Sequence, residues 1–462
     1  MNDEWVDKLL DALLHRAGLL QSADGENFEF AYRFEEFLAG CHLANRDAWV
    51  KTQPSFVTRV RNLLKKQGDY ARQVVIWAAG VNAHVQIDRS TVRELVSDLT
   101  PRNPVADAAS LTNLELAADI ARDAGMEHWQ DEDVPDTTDT VSRLRARLEE
   151  VRDGVGRFEA KVRSRAASAI GRLGDHRPSV QLKNGLPDLA DWILIPAGEF
   201  PMGCTEAEAK YPDEKPQFPC RLINQPYRIS RYPITVEQYQ AFVKADGYRD
   251  VGSKEDEIKL LRWWTPEGLK WKRARGITGP EDSDPVFQTP NHPRVGVSWF
   301  EAVAFCRWLT DELKRKGELK NGEKITLPSE AQWERAARHT DGRTFPWGNE
   351  EECQQRCNMG DTGIGHTSAV GLFPSGNAEC SAADMAGNVW EWCRTKWMNS
   401  YQGYEQKVND ELEGQDSRVL RGGSFGLVRG LLRCARRYYC DPDYRLVCVG
   451  FRVVLVAGVS AP

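Results

Sequence analysis

One stretch constrains this chain more than any other. It is Arg421–Arg452, RGGSFGLVRGLLRCARRYYCDPDYRLVCVGFR, and it divides into a frame and a filling. The frame is Gly422-Gly423-Ser424, Leu432-Arg433, Ala435, Arg437, Pro442-Asp443, Arg445 and Gly450-Phe451-Arg452. The filling is Phe425, Gly426, Leu427, Val428, Gly430, Leu431, Arg436, Tyr438, Tyr439, Cys440, Tyr444, Leu446, Val447 and Cys448. From Phe425 to Cys448 there is no Trp, Met, Lys, Glu or Gln, although all five occur elsewhere in the chain. Codons of the form NNY encode none of those five. Mutagenesis directed at the adenines of AAY asparagine codons yields only NNY codons, and the segment also lacks Asn. The bias is compositional, and it agrees with the frame independently.

At 462 residues the chain has room for roughly two or three domains. Its net charge of −7 argues against a dedicated nucleic-acid surface, which needs a basic stripe to meet phosphates. No apolar run reaches membrane-spanning length. The start, MNDEWVDKLLDALLHRAGLL, has no basic region and no small-residue cleavage site, so it does not read as a secretory signal. The 11 Cys are odd in number and not paired by spacing, and they read as reduced thiols of a cytoplasmic protein. Cys353 and Cys357 resemble half of a zinc site, but no second pair completes it.

Two grammars follow one another. Residues 1–180 read as all-α. Trp5, Leu9, Leu10, Leu13 and Leu14 recur at helical spacing, and Phe28–Ala44 reads as an amphipathic helix. Further helices are expected around Val57–Leu64, Tyr70–Ala79, Thr91–Leu99 and Leu114–Ala124. Val141–Ala167 reads as one long helix or a helical pair, and Asp131–Thr140 as a loop. A linker is placed at 181–190. From 191 to 462 Trp, Gly and Pro become dense and strands look short. Two helices stand out, Ser298–Lys314 with a Ser298/Glu301 capping box and Ser329–His339 with Ser329/Gln332. Trp299, Trp308, Trp333, Trp347, Trp390 and Trp392 read as core.

The motifs of this second half are Ile195–Gly203, Tyr232–Tyr239, His292–Ala302, Leu327–Arg338, Phe345–Asn349, Asp384–Trp392 and Arg418–Arg452. In that order they resemble the formylglycine-generating-enzyme/sulfatase-modifying-factor family. The resemblance implies a C-type lectin-like fold, so the whole chain is expected to be α+β, an all-α region followed by that domain. The stretch 419–453 resembles the variable region of diversity-generating retroelement target proteins. Leu9–Leu20 with Phe28–Ala44 resembles the region following the ATPase core of NACHT-type STAND NTPases, and Arg165–Val180 resembles a HEAT-type repeat. That implies a STAND-type ATPase in cis or in trans as a partner. A plain helical adaptor is the alternative.

Three functions compete. Formylglycine-generating chemistry, as the resemblance implies, uses a copper-binding cysteine pair, and the matching positions here are Leu427 and Leu432. An iron-dependent sulfoxide synthase needs a histidine triad, which the 8 scattered His do not supply. The third is a binding module. A segment pinned at both ends can vary between the pins, and its Tyr and Arg are residue types that dominate binding hot spots. The expectation is therefore a non-enzyme that binds a protein ligand through the filling. No cofactor is expected beyond a structural calcium at Asn358, Asp361 and Asp384, residues that read first as ordinary turn residues.

Overall fold

The computed structural model describes residues 55–457 except 68–70, 86–87, 106–107, 250–257, 259 and 282–283, together with 20–22, 28–30, 39–41 and 43–44. It divides the chain into two compact units, Met1–Val151 and Arg152–Pro462.

In the first unit the apolar periodicity folds as expected. Helices span Phe56–Gln67, Arg72–Gly80, Arg89–Leu99, Ala108–Ala124 and Thr137–Asp153. Asp88 caps the third by accepting the Thr91 N–H, and Val92, Leu95, Val96 and Leu99 form its buried stripe. The expected loop at Asp131–Thr140 ends early, because Thr137 already opens a helix. The all-α expectation needs one correction. Phe28–Phe30 is a strand, paired antiparallel with Leu20–Ser22, where a helix was expected to begin. Phe-Glu-Phe alternates with period two, a strand signal that the longer helical pattern obscured. The expected helix around Trp5–Leu14 lies outside the described residues.

Val141–Ala167 resolves into a helical pair. The break falls at Gly154–Phe158, where Gly156 has φ +78°, and a second helix runs over Ala160–Leu173. That helix belongs to the second compact unit, which begins at Arg152. Its Ala167 packs with Ile364, Ala369, Leu372 and Phe373. At Gly171 a Cβ would stand 2.2 Å from the Asn291 side chain, so only glycine allows this approach. Residues 181–190 carry a small hairpin, Leu182–Lys183 with Leu186–Pro187.

The second unit holds two four-stranded sheets. One runs Ile193–Ile195, Tyr227–Ile229, Val454–Val456, Lys324–Thr326, all antiparallel. The other runs Arg437–Cys440, Arg418–Arg421, Trp390–Lys396, Val449–Gly450, with the last pair parallel. Both expected capping boxes are present, on Trp299–Arg315 and Glu330–Arg338. Trp264, Trp299, Trp308, Trp333 and Trp392 are fully buried, supplying apolar area to a domain with short strands. Trp347 is only half-buried and stacks on Phe345. The chain is thus α+β, with helices first and small sheets after.

Candidate functional site: a pinned segment with an exposed filling

The frame is held by arginines, each seated on a carboxylate in the interior. Arg437 makes a two-pronged pair with Glu330, Nε to Oε1 at 2.7 Å and Nη2 to Oε2 at 2.9 Å. Arg421 reaches Glu330 at 3.2 Å and also pairs with Glu334. Arg433 sits on both oxygens of Glu214, Arg445 on those of Glu301 and Arg452 on those of Glu391, all at 2.6–2.9 Å. All five glutamates are wholly buried. Burial works against the charge on Arg437, yet Glu330 beside it keeps its pKa above the ordinary value. A guanidinium meets a carboxylate in a fixed two-bond geometry, so each pair sets position as well as charge. Gly422 and Gly423 take φ +94° and +77°, which lets the chain turn out of the Arg418–Arg421 strand under Trp333 and Leu432.

The filling behaves differently. Gly426, Val428, Tyr438, Tyr439, Tyr444 and Val447 are exposed. Phe425, Leu427, Gly430, Leu431, Cys440, Leu446 and Cys448 are half-buried. Every frame residue, by contrast, is buried or half-buried. Arg436 is the exception within the filling. It is buried, its guanidinium lies 3.9 Å from the Tyr211 ring, and it faces Asp213 and Glu214. It therefore belongs with the pins and not with the surface.

Tyr438 and Tyr439 lie on the edge strand of their sheet, opposite Leu420 and Val419. They continue an aromatic row: Trp390 to Tyr438 at 5.9 Å, Tyr438 to Tyr439 at 5.6 Å, Tyr439 to Trp397 at 4.7 Å between ring centroids. Trp397 was not among the expected site residues. Its proximity follows from cross-strand register, which the sequence alone does not display. Arg429, also unassigned in the sequence, is exposed beside Val428 and pairs with Glu351 at 3.1 Å.

Leu432, at one of the two positions matched to copper-binding cysteines, is buried, and Leu427 packs partly against the same small cluster. His292 is structural. It is wholly buried between the Ser168 and Thr367 hydroxyls, and burial lowers its pKa to about 3, so the ring is neutral.

The residues expected for calcium do not fit a cage. The Asn358 amide donates to His366 O and accepts from Thr362, Asp361 is exposed, and Asp384 accepts the Gly371 N–H at 2.7 Å. Calcium needs several hard oxygens converging on one point. Among the described residues no group of three or more His, Cys, Asp or Glu is placed to hold a metal.

Asp384 does carry a pH signature. Burial raises its pKa from 3.8 to about 6, against the pull of Gly371 N–H and Arg452. A carboxyl raised in the folded state contributes stability below its unfolded pKa, and loses that contribution as pH climbs through the folded one. Asp384→Asn keeps an acceptor for Gly371, suits the positive φ of 55° and does not titrate. The stability of this variant relative to the parent is expected to rise from about pH 4 to about pH 7. Urea unfolding of both at each pH checks this, and a flat difference would show that the carboxyl is not shifted.

Residues 179–457 match the family described as sulfatase-modifying factor enzyme 1-like domain. The chain belongs to that family. The formylglycine-generating enzyme of Thermomonospora curvata is 31% identical over 56% of this chain and 91% of its own length. The hercynine oxygenase of Mycolicibacterium thermoresistibile is 28% identical over 64% of this chain and 73% of its own. Among solved structures, Treponema denticola variable protein 1 is 21% identical over 57% of this chain and 94% of that one, with TM-score 0.41.

The family corrects one expectation. The chain was expected to be a non-enzyme, but these sulfatase-modifying-factor-like relatives are named as enzymes. Two leucines in place of two thiols argue against one ligand pair. They do not exclude activity built on other residues of the same fold.

Proposed function

We propose that the exposed filling of residues 425–448 is a ligand-recognition surface, diversified by a retroelement and carried on a C-type lectin-like domain. One observation supports this above the others: six of the fourteen filling residues are exposed, whereas no frame residue is. Tyr438, Tyr439, Tyr444, Val428 and Val447 face outward, while Arg433, Arg437 and Arg445 of the frame are paired with buried glutamates. Such a surface can change its chemistry without disturbing its support.

The occupants favour a protein ligand. Tyr438, Tyr439 and Tyr444 offer large rigid contact area at small entropic cost, and Val428 and Val447 add apolar contact. The helical unit would pass the binding event to a STAND-type ATPase, in cis or in trans. The test is capture of protein partners by the full chain and by a chain with Tyr438, Tyr439 and Tyr444 changed to alanine. A partner retained by the parent and lost by the variant supports the reading. Equal retention of every partner contradicts it.

A further inference from the structure

The segment 210–214 lies outside the stretch 419–453, yet it meets the filling twice. Its backbone is fixed by the pins. Arg433 holds the Glu214 carboxylate, Arg437 donates to Asp213 O at 3.1 Å, and the Glu214 N–H closes a turn onto Tyr211 O at 3.2 Å. The Tyr211 ring is held differently. It is 37% exposed, and the Arg436 guanidinium lies against it, 3.9 Å from the ring centroid. The second meeting is at Gly430, where a Cβ would stand 2.6 Å from the Lys210 ammonium.

Arg436 is buried like the pins but is not bonded like them. Its Nε has no hydrogen-bond partner, and its Nη1 stands 3.9 Å from both Asp213 and Glu214, too far for a hydrogen bond. The carboxylates keep its charge in place without setting its plane. The same guanidinium lies 5.9 Å from the Tyr438 ring. It is packed between a ring of the segment 210–214 and a ring of the filling, and both rings are exposed. A planar cation between aromatic rings is attracted to each.

We infer that Tyr211 is an unvarying member of the recognition surface and that Arg436, at a diversified position, is its positioning residue. Both roles rest on the reading of the filling as a protein-ligand surface. Tyr211 and Tyr438 then form one patch joined through the guanidinium, and the ligand meets a constant tyrosine beside the varied ones. Position 436 acts on that ligand through the Tyr211 ring without touching it. Serine is among the residues that NNY codons allow there, and it removes the cation while the pins still hold the backbone of the segment. Lysine keeps the charge facing Asp213 and Glu214 but lacks the flat guanidinium, so it separates stacking from charge.

The test uses the full chain. With 3-fluorotyrosine incorporated, the fluorine resonances of Tyr211 and Tyr401 are assigned by their loss in Tyr211→Phe and Tyr401→Phe. Arg436→Ser and Arg436→Lys should both move the Tyr211 resonance and leave that of Tyr401, which donates to Glu330 in the interior, where it was. A Tyr211 resonance that stays in place, or a Tyr401 resonance that moves as far, would overturn the positioning role. The binding probe is a peptide selected on the parent chain from a random phage-displayed library. Tyr211→Ala should weaken it at least about tenfold, as expected for an aromatic hot spot, and Arg436→Lys at least about twofold. If Tyr211→Ala binds like the parent while the Tyr438, Tyr439 and Tyr444 triple variant does not, Tyr211 is no part of the surface and the filling still is. Undiminished binding by the triple variant, or a library that yields no binder, would overturn both. Tyr211→Ala replaces an exposed side chain, so it decides even if the Arg436 variants do not fold.

Discussion

Replacing Glu330 with alanine is expected to destabilise the second unit by about 3–5 kcal/mol, the range for breaking a buried ion pair from one side. Glu330 accepts from Arg437 through two bonds, from Arg421, and from the Tyr401 and Tyr404 hydroxyls at 3.0 and 2.9 Å. Alanine leaves these donors in the interior. Arg421 keeps Glu334, so most of the loss falls on Arg437, whose remaining acceptors are the carbonyls of Asp213 and Met398 at 3.1 and 2.9 Å. A charge held only by carbonyls, flanked by the Trp397 and Tyr401 rings, has lost its counter-charge without regaining water. Glu330→Gln keeps the volume and part of the hydrogen bonding, so it should fall between alanine and the parent. Urea unfolding followed by tryptophan fluorescence measures all three. A change below about 0.5 kcal/mol in the alanine variant, the usual range for surface substitutions, would mean that the arginine pins do not hold the segment.

The filling should answer in the opposite way. Changing Tyr438, Tyr439 and Tyr444 together to alanine is expected to lower affinity for a captured protein partner by about 100-fold or more, since hot-spot aromatics contribute about 2 kcal/mol or more each and 1.4 kcal/mol is tenfold. The same variant should cost less unfolding free energy than Glu330→Ala. Tyr438 is 49%, Tyr439 46% and Tyr444 53% exposed, so truncation removes only the half of each side chain that folding hides from water and leaves no buried charge without its partner. Titration calorimetry gives the first quantity and urea unfolding the second. Unchanged affinity would remove these tyrosines from the interface. A stability loss as large as that of Glu330→Ala would make them part of the core.

What was legible in the sequence was what depends on near neighbours. Ser298 with Glu301 and Ser329 with Gln332 announce their helices within four residues, and the motifs from Ile195 to Arg452 announce the family. The partners of the pins were not legible. Glu391, Glu330 and Glu214 stand 61, 107 and 219 residues from Arg452, Arg437 and Arg433, and nothing local links them. Arg436 shows the limit of reading sequence position as geometry. It stands among the filling, but its side chain faces Tyr211 and Asp213 and is buried. Phe28–Phe30 shows the limit of periodicity, because three alternating residues were absorbed into a longer helical pattern. The two leucines at 427 and 432 show a third limit. A missing ligand pair speaks about one chemistry, and the enzyme relatives required a wider view.

The most direct measurement is to sequence the several kilobases around the gene, looking for a near-copy of the segment encoding Val419–Val453 beside a reverse transcriptase. The expected result is a copy that differs at adenines. Asparagine codons should stand opposite Tyr438, Tyr439, Tyr444 and the other filling positions, and the pinned Arg421, Arg433, Arg437, Arg445 and Arg452 should be identical in both copies. A locus with no such copy, or a copy whose differences fall on the pinned arginines, would contradict it.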